Sequence, residues 1–148
     1  MRIEISNFAQ LTTTQLYELL QLRSAVFVVE QDCVYQDVDG KDQRATHVMG
    51  YENDVLVAYT RVFAAGDYFD QASIGRVVVS GDHRGRDYGK KIMEASINYL
   101  KEQKCGTIKI SAQCYLDQFY KDLGFTATGE NYLEDGISHQ AMIYGNAG

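Results

Sequence analysis

A chain of 148 residues with a formal net charge of −6, 45% hydrophobic and 23% charged residues is sized and composed for one globular domain, residues 1–148. The acidic balance excludes a phosphate-backbone binder, which needs a positive face to release counterions. No apolar run approaches the roughly 18–20 residues of a membrane helix, and no basic leader precedes an apolar stretch. The expectation is therefore a cytoplasmic chain with neither nucleic acid nor membrane among its partners. Three cysteines, Cys33, Cys105 and Cys114, form no C-x-x-C pair, so reduced thiols are expected, with no disulfide framework and no metal site. The sequence contains no proline, which leaves the unfolded chain more flexible and the turns looser.

Residues 2–7 alternate polar and apolar side chains as a half-buried strand does. Thr12 followed by Gln15 has the form of a capping box, and Leu16, Leu19, Leu20, Arg23 and Phe27 then recur at helical spacing to about Glu30. An acidic, turn-rich stretch follows over 32–43, holding Asp37, Asp39, Gly40 and Asp42. Residues 47–51 and 55–64, separated by Glu52-Asn53-Asp54, read as a β-hairpin. The β-branched run 73–80 reads as a central strand, and the glycine-rich segment 81–89 as a turn. Ile92, Met93, Ser96, Ile97 and Leu100 mark the apolar side of a second helix. A strand over 107–112, a short helix over 115–123 and strands over 125–128 and 139–144 complete the chain. The order β-α-β-β-β-α-β-α-β-β predicts an α/β (α+β) fold with a mixed sheet and helices on both faces.

The chemistry concentrates in residues 77–92, VVVSGDHRGRDYGKKI. A strand ends, a tight turn follows and a helix begins. Helix N-termini present unpaired N–H groups and a positive dipole end, so such a turn suits a phosphate. Gly85 and Gly89 carry no Cβ to block a close approach, and Arg84, Arg86, Lys90 and Lys91 reverse the sign of an otherwise acidic chain. The spacing is neither a G-x-G-x-x-G dinucleotide fingerprint nor a P-loop.

This segment resembles the pyrophosphate-binding turn of the GNAT superfamily of N-acetyltransferases, R-x-x-G-x-G after a V-x-V strand. Arg84 and Gly89 match the pattern, whereas Asp87 stands where the first glycine is usual; Asp tolerates left-handed backbone better than most residues. The run 119–125, FYKDLGF, is similar to the family's tyrosine just ahead of an L-G-F ending, with Tyr120 the matching residue. Further blocks, LLQLRSAVFVVEQDCVY at 19–35, IGRV at 74–77, SAQ at 111–113 and YLEDGISH at 132–139, resemble the small bacterial ElaA branch, with Ser138 where that branch usually has proline.

The resemblance implies a mostly antiparallel GNAT sheet and direct transfer of an acetyl group from acetyl-CoA to a small amine, without an acyl-enzyme. It places the cofactor at Val77, Val78, Val79, Arg84, Gly85, Arg86, Asp87, Tyr88, Gly89, Lys90 and Tyr120. A backbone N–H in the 77–79 stretch would face the oxyanion, and Tyr120 would protonate the leaving thiolate. An alkyl amine with a pKa near about 10 needs a base, for which Glu30 and His139 are candidates, with Glu134 beside them. Glu30 could equally be a solvated helix-end group and His139 a structural histidine. Asp37, Asp39 and Asp42 could attract a cationic acceptor or be merely solvated. His83 reads as a turn residue and Cys114 as a buried thiol. Two alternatives remain at this level: a CoA-binding regulator without transfer activity, and an acyltransferase using a longer acyl-CoA. A homodimer is also left open.

Overall fold

The computed structural model describes residues 1–145; the last three residues of the expected domain lie outside the described residues. Seven strands form one sheet in the order β1-β2-β3-β4-β5-β7-β6: β1 Arg2–Asn7, β2 Thr46–Glu52, β3 Val55–Phe63, β4 Ala72–Val79, β5 Ile108–Gln113, β6 Phe125–Glu134 and β7 Ile137–Tyr144. Every pairing is antiparallel except β4 with β5. The expected mixed, mostly antiparallel sheet is what the chain forms.

Helix α1, Thr13–Arg23, begins at the capping box read from the sequence: Thr12 Oγ1 accepts from the Gln15 backbone N–H, and the Gln15 side chain accepts from the Thr12 N–H. Its Leu19 is fully buried with Tyr59 and Val78 on one face of the sheet. Helix α2, Tyr88–Glu102, covers the other face. Its buried Ile92, Met93, Ser96, Ile97 and Leu100 are the five residues the periodicity singled out, and the apolar four join Val57, Ile74 and Ile108 in the larger core cluster. Helix α3, Asp117–Asp122, follows a turn of 3-10 helix and packs by Tyr120 into the same cluster.

Two stretches differ from the sequence reading. The first helix does reach Glu30, but residues Ser24–Glu30 wind as a π-helix. Ser24 Oγ donates to the Leu20 carbonyl at 2.6 Å, a back-bond of the kind that bends or unwinds a helix. Strand β6 runs on to Glu134, beyond the expected 125–128, because Asp135 (φ 51°) and Gly136 (φ 77°) make a left-handed two-residue turn that zips it to β7. The β2–β3 hairpin closes in the same way through Asn53 and Asp54 at φ 51° and 63°.

Candidate functional site

The sheet opens in its middle. β4 and β5 pair only at Ala72 with Ile108 and Ser73 with Lys109. Beyond Ser73 the two strands diverge, leaving the β5-facing edge of β4 without a strand partner. β4 also carries a bulge: Tyr59 faces Val78 but Arg61 faces Gly75, so β4 contributes one extra residue, and Arg76 sits at φ 50°. The divergence leaves a cleft of about 820 Å³, within the range of pockets that bury a substrate-sized molecule.

Val77, Val78 and Val79 line this cleft along the free edge of β4, as do Arg84, Gly85, Asp87, Tyr88, Gly89 and Lys90 at its basic end. Arg86 does not; it turns away to Glu52, with Nη1 2.9 and 3.2 Å from the two carboxylate oxygens. Asp87 adopts φ 61°, ψ 19° at the N-cap of α2 and makes no side-chain cap bond. The Asp in the usual glycine position therefore keeps the left-handed turn, and the first N–H groups of α2 stay without a side-chain acceptor. A Cβ built on Gly85 meets nothing within 4 Å, whereas one on Gly89 stands 3.5 Å from Phe119 Cζ. The open space lies over Gly85; Gly89 is tucked beneath the Phe119 ring.

Tyr120, Glu30 and His139 border the same cleft. Tyr120 is held edge-on between Phe119 and Phe125, with centroids 5.0 and 6.0 Å away. Burial pushes its phenol well above the ordinary value, because the anion would be poorly solvated there. Glu30 receives a two-pronged ion pair from Arg84, whose Nη2 also donates to the Val79 carbonyl at 3.2 Å. His139 Nδ1 donates to the Ile137 carbonyl at 2.8 Å, leaving Nε2 3.3 Å from a Glu134 carboxylate oxygen. Its ring stacks on Tyr132, whose hydroxyl bonds to Ser111. Cys114 Sγ accepts from Ser138 Oγ at 3.3 Å.

Asp37, Asp39 and Asp42 are not left to solvent or to a cationic acceptor, because each is ion-paired within the chain. Asp37 and Asp42 are buried and paired to Arg23, Arg61 and Arg76, pairings the sequence reading did not anticipate. Fully buried Arg23 donates from Nε to Asp37 and from Nη1 to Asp42, each at 2.8 Å. Arg61 reaches Asp39 at 2.8 and 2.9 Å and Asp42 at 3.0 Å, and Arg76 at the bulge pairs with Asp37 at 2.8 Å. His47 Nε2 donates to the Asp42 carbonyl at 3.0 Å while Nδ1 accepts from the Tyr59 hydroxyl at 2.6 Å. The available signal was a charge inside an apolar strand run, as at Arg61 between Thr60 and Val62, since a charge placed there needs a partner.

Among the described residues the sheet splits at its one parallel pair, with a basic turn at one end and a buried tyrosine beside it, which makes the chain an α/β protein with a ligand-sized cleft. Residues 12–145 match the Acetyltransferase (GNAT) domain, and the chain belongs to this family. It is 42% identical over 137 residues to the protein ElaA of Escherichia coli (strain K12), spanning 90% of each chain. The crystal structure of E. coli ElaA superimposes with a TM-score of 0.89 at 39% identity, covering 97% of this chain and 98% of that one. An acyl-CoA N-acyltransferase from Pseudomonas aeruginosa superimposes with a TM-score of 0.90 at 39% identity, covering 97% and 99%. The resemblance to the ElaA branch holds over nearly the whole chain.

Proposed function

We propose that the protein transfers an acetyl group from acetyl-CoA to a primary amine of a small molecule or peptide, by direct attack of the amine on the thioester. The observation that carries this reading is the convergence of the basic α2 turn, the unpaired edge of β4 and Tyr120 on one cleft. The family supplies the class of reaction, and the P. aeruginosa relative's description as an acyl-CoA N-acyltransferase supports the donor.

The residues fit an anionic, elongated donor. Arg84, Lys90 and the first-turn N–H groups of α2 would hold its phosphates, with the space above Gly85 left clear by the missing Cβ. The free edge of β4 at Val77–Val79 offers backbone groups to an extended amide-bearing arm and an N–H to the developing oxyanion. His139 would take the amine proton at Nε2, the ring nitrogen not used toward Ile137, once that atom is not donating to the Glu134 carboxylate. Glu30 is the second candidate, although in this structure its carboxylate is committed to Arg84.

Burial refines the role of Tyr120. An ordinary thiol titrates near about 8.5, so full proton transfer from a phenol pushed above its usual value to a thiolate is uphill. The hydroxyl stays protonated throughout the working range and serves best as a hydrogen-bond donor to the departing sulfur. The decisive experiment is transfer itself. Purified protein, acetyl-CoA and a panel of polyamines, amino sugars, amino acids and peptides should release free thiol with at least one acceptor. Coenzyme A binding by calorimetry without thiol release across the panel, and with longer acyl-CoA donors also inert, would favour a CoA-binding regulator instead.

A further inference from the structure

Both arginines of the basic turn are already engaged by carboxylates from elsewhere in the chain. Arg84 presents Nη1 and Nη2 to the two oxygens of Glu30, at the end of the π-helical segment. Arg86 is held by Glu52, at the end of β2, and His83 Nε2 lies 3.7 Å from the same carboxylate. These pairs join residues 54 and 34 positions apart, so they are tertiary choices and not helix-surface accidents. A carboxylate offers a guanidinium the same pair of oxyanion acceptors that a phosphate does.

We propose that Glu30 and Glu52 are built-in competitors for the cofactor's phosphates, occupying the arginines of the turn until the diphosphate displaces them. The proposal rests on the reading of this turn as the phosphate site. Glu30 and Arg84 are each 46% exposed, and Arg86 50%; pairs in that setting are weak and exchangeable. They therefore tune affinity without blocking the site. Displacement has a second effect. Once the diphosphate takes Arg84, the Glu30 carboxylate is released inside the cleft, where a cationic amine would bind next.

Calorimetric titration of coenzyme A tests the idea. Glu52→Gln and Glu30→Gln should each tighten binding about two- to fivefold, the scale of an exposed ion pair. Asp82→Asn removes an exposed carboxylate from the same turn and should change affinity less than either. In the Arg86→Ala background the gain from Glu52→Gln should vanish, as should that from Glu30→Gln in Arg84→Ala. If the arginine variants bind coenzyme A as tightly as the parent protein, the phosphate-site reading itself fails. If they bind more weakly, yet the glutamine variants show no gain, or an equal gain in Asp82→Asn or with the arginine removed, the competition is overturned and the site stands.

Discussion

Tyr120 concentrates the mechanistic question at a single oxygen. Its ring is part of the core and clamped by Phe119 and Phe125, so Tyr120→Phe keeps the volume and should leave folding nearly unchanged. If the hydroxyl donates a hydrogen bond to the leaving sulfur, single-turnover transfer should slow by about 10²–10³-fold while coenzyme A affinity barely moves, because the interaction matures only in the transition state. Steady-state kcat and kcat/KM should fall together where chemistry limits. An unaltered single-turnover rate in a folded variant would remove Tyr120 from the reaction. Its place at the cleft was legible in the sequence because a short local pattern, similar to the family's, pointed to it. Glu52 was not legible, since its meaning lies in Arg86, which is distant in sequence and adjacent only once β2 and the α2 turn are folded.

At the scale of elements, the segment between α1 and β2 is held by charge where a core-facing loop would normally be held by apolar contacts. Arg23 ends α1, fully buried, and anchors both Asp37 and Asp42. Removing one side of such a cluster leaves charges stranded in a poorly solvated place. Arg23→Leu should therefore cost about 3–5 kcal/mol of stability, seen as a lower denaturation midpoint in urea; a loss below about 1 kcal/mol would mean that water reaches the two aspartates easily. Local patterns made much of the fold legible: the Thr12 and Gln15 capping box, the alternation of β1 and the buried stripe of α2 each follow from a repeat a few residues long. The bulge at Arg76 and the placement of β7 between β5 and β6 have no such repeat. They are fixed by partners met only in the folded state, such as Asp37 for Arg76 and Gln113 for His139 across β5 and β7. The same distance in sequence hid the pairing of the acidic loop.

For the whole molecule, the buried charge cluster sets how the fold responds to acid. Burial would raise the Asp39 carboxyl, but the hydrogen bonds and charge of Arg61 outweigh it and hold the group down to about 2. A carboxyl held below its unfolded value stabilises the fold above about pH 4, and that contribution is lost as the pH falls toward about 2. His47 acts earlier. Burial lowers its pKa, and both ring nitrogens are satisfied in the neutral form by Tyr59 and the Asp42 carbonyl. Below about pH 6.5 the unfolded chain takes up a proton that folded His47 resists, so stability declines from there. Protonating the other carboxylates of an acidic chain relieves repulsion and works in the opposite direction. Thermal midpoints should thus fall gently from pH 6.5 and steeply between about pH 4 and 2. Asp39→Asn should flatten the lower limb and His47→Gln the upper one, whatever each does to the midpoint at neutral pH. Parallel curves for the parent and both variants would show that acid unfolding is governed by carboxylates outside this cluster.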